Sequence, residues 1–413
     1  MKKISFLLLL FLLLYCTPDN DAPVQPMENV EQMEQTEQME TMEEVIVNDF
    51  LTQSTPYSSY TGSSLKSFST IAVREVLPYD FMDVKSAVIH YNTVDEENKP
   101  IQASGVILFP ENEGNYELVS VQHGTISSNE NAPSNSSLGF NELTIGAIIA
   151  GTGFICLVPD YIGYGINNNS RHPYEHRKSL AQNTTDMILA AKEYLEQEAI
   201  EYTDQISLVG YSEGGYATLA TQQKLEAETI IPIKKVISGA GAYNKTSFTK
   251  SLLASDQELP FIGNYLWVLD VYNSIYPELK RPWSDYVNEP YATQLTSYGE
   301  INTIIPDSLL QSTNPKDLFT SSFVSGIIED TDTAFLNVLQ DNDVHDWTPK
   351  APVFLFHGTE DKLILPFVSE STAEALISNG GTVAYTSIEG KDHNGAVVPF
   401  FVSALSLLNH EEE

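Results

Sequence analysis

"LVGYSEGGYAT", Leu208 to Thr218, is the stretch on which the reading of the chain turns. It holds Gly210-Tyr211-Ser212-Glu213-Gly214, the pattern G-x-S-x-G, straight after an apolar run and straight before a helical pattern. Two meanings compete for Ser212. It can be a nucleophile raised on a sharp strand-to-helix turn, or an N-cap serine doing ordinary work at a helix start. Glycine and serine are common residues, so the pattern alone does not choose. The surrounding elements and the partners they carry must choose.

Around this stretch the chain alternates between strand and helix patterns. Ser86–Val94 and Ile101–Pro110 read as two strands joined by a turn at Asp95–Pro100, hence a hairpin. Tyr116–Gly124 reads as a strand, Asn141–Gly153 as a helix and Phe154–Asp160 as an apolar strand. In Lys178–Ala199, Leu180, Met187, Ile188, Ala191 and Leu195 fall on one helical face. Gln205–Tyr211 is then a strand, Gly214–Glu228 a helix and Ile233–Gly241 a strand. The alternation stops over Ala242–Thr348, which is rich in aromatics such as Tyr265, Trp267, Tyr272, Trp283 and Tyr286. It resumes with strand Ala351–Gly358, helix Pro366–Gly380, strand Thr382–Gly390 and a final helix over Gly395–His410. An opening hairpin followed by alternating strands and helices implies a mostly parallel sheet with helices on both faces. The segment 242–348 then reads as an insertion above that sheet.

A serine hydroxyl needs a base, a group to orient the base, and donors for the oxyanion. In a parallel sheet these belong at the carboxyl ends of strands. Ser212 stands at one such end, with Asp361 after the strand Ala351–Gly358 and His393 after the strand Thr382–Gly390. Glu360 adjoins Asp361, but H-G-x-x-D selects the latter; His357 reads as a hydrogen-bonding residue of the strand end, and Asp392 as solvated. Beside Ser212, the Glu213 backbone N–H is one candidate oxyanion donor. "QHGT" (Gln122–Thr125) ends an earlier strand, and there Gly124 or Thr125 is the candidate for the second. His123 precedes the nucleophile and does not suit the role of base. It joins Asp160, Tyr161 and Tyr164 of "PDYIGYG" and Tyr211 as a candidate for shaping the pocket. His172 and His176 lie four apart, but Pro173 between them argues against a helical metal pair. No metal or other cofactor is expected.

The order Ser212, Asp361, His393 is that of an α/β-hydrolase. "QHGT", "PDYIGYG", "GYSEGGYAT", "HGTEDKLILP" and "KDHNGA", in that order from Gln122 to Ala396, make the chain resemble a serine α/β-hydrolase of the secretory-lipase, fungal lipase A-like type. The resemblance implies an α/β-hydrolase core over 56–241 and 349–413, with a mainly helical cap inserted over 242–348. It implies a carboxylic ester hydrolase acting through Ser212, Asp361 and His393 on a small-molecule ester. Two other readings stand beside it. A prolyl-oligopeptidase-like peptidase shares some of these motifs, but too little chain precedes the first predicted strand for a propeller. A non-catalytic surface binding protein could use the same scaffold, though it would not need all three residues.

Composition limits the partners. The 413 residues carry 56 Asp and Glu against 21 Lys and Arg, a formal net charge of −35. Such a chain is unsuited to neutralising phosphates, so nucleic acid is not an expected partner. Residues 1–16, "MKKISFLLLLFLLLYC", place two lysines before about a dozen apolar residues, the form of a secretory signal and too short to span a bilayer comfortably. Its end resembles a bacterial lipobox, which implies lipidation of Cys16 and anchoring to a membrane of the bacterial envelope; a plain cleaved signal would instead give a secreted protein. Thr17–Phe50 has ten acidic residues and no Lys or Arg. Residues 17–55 are therefore expected to be a disordered, self-repelling tether. Cys156, in an apolar strand, reads as an inert core residue. A disulfide between it and Cys16 is not expected.

Overall fold

The computed structural model describes residues 49–69 and 80–410. The signal reading, Cys16 and the acidic stretch up to residue 48 lie outside the described residues. Among the described residues nine strands form one sheet: β1 (Leu51–Tyr60), β2 (Val84–Val94), β3 (Pro100–Pro110), β4 (Tyr116–Gln122), β5 (Phe154–Pro159), β6 (Tyr202–Tyr211), β7 (Ile233–Gly239), β8 (Val353–Gly358) and β9 (Val383–Ile388). Their order across the sheet is β1-β2-β3-β5-β4-β6-β7-β8-β9. β1, β2, β3 and β5 pair antiparallel; from β5 to β9 every pair is parallel. The predicted opening hairpin and parallel body are therefore both present.

The central strands are apolar on both sides because both sides are covered. Adjacent residues of one strand enter opposite cores, as the pleat requires. Leu118, Ile155, Leu208 and Leu355 face one core, while Val119, Cys156, Val209 and Phe354 face the other. Over the first lie α3 (Arg177–Gln197) and α4 (Glu213–Glu228); over the second lie α1 (Gly62–Phe68), α2 (Glu142–Gly151) and α13 (Val397–Asn409). α12 (Phe367–Ser378) links β8 to β9. The Cys156 thiol is buried, and burial raises its pKa.

Between β7 and β8 the segment 242–348 folds into seven helices. They are α5 (Lys245–Ala254), α6 (Ile262–Ile275), α7 (Trp283–Tyr286), α8 (Tyr291–Tyr298), α9 (Pro315–Leu318), α10 (Ser321–Ile328) and α11 (Thr333–Asp341). Several of its aromatics pack on one another. Tyr286 meets Phe323 edge-on at 5.2 Å, and Phe323 meets Phe335 edge-on at 5.1 Å. Such T-shaped contacts suit the ring quadrupole.

One expectation moves. The first described strand starts at Leu51, so residues 51–55 belong to the sheet rather than to a tether that runs to residue 55. The strand escapes sequence reading because Leu51 alone of its ten residues is buried. It holds on through its ladder with β2, and through the Glu193 carboxylate of α3, which accepts the N–H groups of Asp49, Phe50 and Leu51 at 2.6–3.2 Å. Its register shifts twice, between Leu51 and Gln53 and between Pro56 and Ser59.

Candidate active site

Ser212 directly follows β6 and occupies the N-cap position of α4 with φ 60° and ψ −125°. That backbone is strained for a residue with a Cβ. It is held by tight packing of the glycines: a Cβ on Gly210 would lie 2.2 Å from the Gly214 carbonyl oxygen, and one on Gly214 would lie 2.1 Å from that of Gln122. The Ser212 N–H donates to the Gly239 carbonyl at 2.8 Å, which ties the turn to β7. The hydroxyl does not cap the helix. It lies 2.8 Å from Nε2 of His393, whose Nδ1 lies 2.6 Å from Oδ2 of Asp361. The structure thus brings the three sequence-selected residues into one hydrogen-bonded line, from ends of three different strands.

Asp361 is well supplied with donors. Its Oδ1 accepts the Leu363 and Ile364 N–H groups at 2.8 and 3.0 Å. Burial pushes its pKa up, but hydrogen bonds from His357 and His393 outweigh that and hold it at about 2. His357 is fully buried and bonds Ser369 Oγ and the Ile364 carbonyl, the structural role read for it. Tyr211 donates its hydroxyl to the His393 carbonyl at 2.8 Å and fixes the loop that carries the imidazole.

The oxyanion candidates separate. Glu213 opens α4, where a first-turn N–H has no intrahelical acceptor. The Gly124 N–H donates to Glu142 Oε1 at 2.9 Å and is therefore engaged. Among the described residues no group accepts the Thr125 N–H, and Thr125 lines the same cleft as Ser212 and His393. Of the two alternatives at "QHGT", the structure leaves Thr125. Glu142 has no sequence signal for this contact; it is simply the first residue of α2, 18 positions away.

The pocket candidates also divide. Tyr211 lines the cleft. His123, Asp160, Tyr161 and Tyr164 do not: their side chains are buried, and the two tyrosines bond the loop 123–126 from within. Tyr161 and Tyr164 donate to the carbonyls of His123 and Ile126 at 3.2 and 2.7 Å. Both His123 ring nitrogens lie against carbonyl oxygens, of Gly124 and Asp160. The Asp160 carboxylate accepts Ser104 Oγ and the Ser134 N–H, and burial raises its pKa. Tyrosines in a Gly-rich turn after a strand suggest a pocket wall, but here their rings pack against the imidazoles of His123 and His172.

A second histidine–carboxylate pair was not foreseen. His172 Nε2 lies 2.6 Å from Oε1 of Glu213, the residue after the serine, and both side chains are buried. His172 and His176 do not form a metal pair: His176 bonds Ser179 Oγ, and burial lowers its pKa to about 4. Among the described residues no group of His, Cys, Asp and Glu is arranged to hold a metal ion. An apolar pocket runs from Ser212 into segment 242–348, lined by Phe248, Leu252, Leu269, Phe319, Phe323 and Phe335 among others. Its wall also carries a buried ion pair, Glu175 with Lys245. Burial raises the pKa of Glu175 and lowers that of Lys245, each opposed by the other's charge.

Solved structures share this architecture. A Legionella pneumophila protein superposes with a TM-score of 0.75 at 22% identity, over 88% of this chain and 100% of its own. The rice cell wall degrading esterase LipA of Xanthomonas oryzae gives 0.72 at 22% identity, over 87% and 96%. Candida antarctica lipase A gives 0.64 at 16% identity, over 88% and 83%. At such identities the likeness carries the fold, an α/β-hydrolase. No curated protein matches the sequence. The sequence profile of the secretory lipases, however, matches residues 131–408, a stretch that takes in β5 to α13 and with them Ser212, Asp361 and His393. By that match the chain belongs to the secretory lipase family, and it is a carboxylic ester hydrolase.

Proposed function

We propose that the protein cleaves esters through an acyl-enzyme on Ser212. The reading rests on one observation, the line from Asp361 through His393 to Ser212 with contacts of 2.6 and 2.8 Å. Ser212 Oγ attacks the ester carbonyl as His393 Nε2 takes its proton. Asp361, an acceptor at Nδ1, keeps the proton on that nitrogen and stabilises the imidazolium. The N–H groups of Glu213 and Thr125 receive the oxyanion. His393 then gives its proton to the leaving alcohol, and a water attacking the acyl-enzyme by the same route regenerates the serine. Segment 242–348 acts as a cap, and the acyl chain enters the apolar pocket that leads into it. The Ser212→Ala variant, assayed on a p-nitrophenyl ester, is expected to lose turnover and labelling by a fluorophosphonate while keeping its fold. Retained hydrolysis in that variant overturns the reading.

The family name and residues 1–16 support export, with Cys16 as the site of a lipid anchor and the acidic stretch as a spacer. Among the described residues no helix is long and apolar enough to cross a membrane. Radiolabelled palmitate should be incorporated in the bacterial host and be absent from Cys16→Ala; equal label in both abolishes the anchor proposal.

A further inference from the structure

We infer that His172 and Tyr174 are positioning residues that fix the two oxyanion donors, one on each side of Ser212. The inference rests on the oxyanion assignment above, and it concerns a strap, residues 171–177, that none of the catalytic motifs includes. The strap follows the "PDYIGYG" turn in the chain and runs into the start of α3. Two residues apart in "HPYEH", His172 meets the Glu213 carboxyl and Tyr174 meets the Thr125 hydroxyl.

His172 secures the first donor. Its Nδ1 lies 2.8 Å from the Ile162 carbonyl, which only accepts, so this nitrogen carries a hydrogen. The contact of Nε2 with the Glu213 carboxyl, at 2.6 Å, then requires one more proton between them. Wherever that proton resides, the hydrogen bond exists. Glu213 is thereby held by a side chain as well as by its helix, and its backbone N–H is the one adjoining Ser212. Both partners are at most 2% exposed, so water does not compete for the contact.

Tyr174 secures the second. Its hydroxyl accepts from Asn264 Nδ2 at 3.3 Å and shares a hydrogen bond with Thr125 Oγ1 at 3.0 Å. The ring stacks on Trp267 at 4.1 Å, nearly parallel, which fixes the direction of that hydroxyl. Thr125 sits on an exposed-side loop whose neighbour Gly124 is already anchored by Glu142. The phenol is what fixes Thr125 itself.

The strap is tied to segment 242–348 at further points, three of them central to it. Arg171 pairs with Asp270 at 2.6 Å, Tyr272 donates to the Glu175 carbonyl at 2.8 Å, and the Glu175 carboxylate binds Lys245. Glu175 takes a φ of 58° to make this possible. The helices that wall the acyl pocket and the donors that receive the oxyanion therefore share one short length of chain. Small displacements of a donor are costly, since catalysis depends on geometry to a fraction of an ångström.

The experiment uses the full chain with Tyr174→Phe, which keeps the stacked ring, and His172→Gln. Three quantities are read: kcat and KM on p-nitrophenyl butyrate, the fraction of sites titrated by a fluorophosphonate, and the inhibition constant of an alkyl trifluoromethyl ketone, which becomes tetrahedral on Ser212. Tyr174→Phe should lower kcat by about 10- to 100-fold with KM changed less than about twofold. Ketone affinity should fall by the same factor, with all sites still titrated. In a Thr125→Val background Tyr174→Phe should cost little more, because it acts through Thr125. Wild-type kcat and ketone affinity in both variants overturn the inference. So does a fall in kcat that is matched by lost titratable sites and leaves ketone affinity per site unchanged, which would mark a purely structural role. An active Ser212→Ala enzyme would instead sink the underlying assignment, a separately readable failure.

Discussion

Two histidine–carboxylate pairs flank Ser212, and they differ in what the imidazole has left to offer. His393 bonds Asp361 at 2.6 Å through Nδ1, and its Nε2 faces the serine hydroxyl. His172 bonds Glu213 at the same distance, but its other nitrogen is spent on the Ile162 carbonyl. The first ring has one protein partner and one reactive partner; the second has two protein partners. Identical chemistry thus yields a proton carrier on one side and a brace on the other. What separates them is the company of the second nitrogen, and neither burial nor the length of the bond to the carboxylate would have told them apart.

The comparison can be broken most sharply at the histidines. His393→Ala should lower kcat by about 10⁶, since removal of a base that acts with its nucleophile costs nearly the whole of their joint effect. His172→Gln should cost no more than about 100-fold. Equal losses in steady-state kinetics would mean that the two pairs are not distinct in kind.

A third buried pair sharpens the contrast between charges that react and charges that only pack. Lys245 and Glu175 are each 5% exposed, and Lys245 Nζ also lies 3.7 Å over the Tyr216 ring. Lys245→Met strands a buried carboxylate and should destabilise the fold by about 3–5 kcal/mol in urea denaturation. Adding Glu175→Leu should restore most of that, because the remaining charge is then gone. A double variant as unstable as the single one would show that the pair does more than neutralise itself.

The smallest effect concerns pH. The Asp361 carboxyl is held at about 2, below its unfolded value. Its stabilising contribution is therefore complete above about pH 4 and lost as the pH falls toward 2. The amount is roughly 2 kcal/mol. Unfolding free energies measured from pH 5 to pH 2 should fall more steeply for the native chain than for Asp361→Asn. Parallel slopes would refute the assignment of that shift to this residue.

Much of this was legible in the sequence because it is local. β5, β6 and β8 are short apolar runs followed by turn residues, and the relevant Asp361 and His393 follow the strands that place them. What was hidden depends on distance along the chain. β1 is polar, with Leu51 its single buried residue, so no alternation marks it. Glu213 and His172 stand 41 residues apart, and Gly124 and Glu142 stand 18 apart. No periodicity links such positions; only the folded sheet does. Asp160, Tyr161 and Tyr164 follow β5, the strand next to the one that carries the right loop, yet they serve the back of that loop and not its front. A motif locates a turn more reliably than it says which way the turn's side chains look.

β1 has a bearing on how the molecule behaves among its own copies. A sheet of nine strands ends in a row of unpaired backbone groups, an invitation to edge-to-edge association. Here the last strand carries two register shifts and a proline, Pro56, that has no N–H to offer. Its outward side chains are polar and exposed. A strand with a single buried residue thus gives the described sheet an irregular, polar outer edge, a poor template for a further strand.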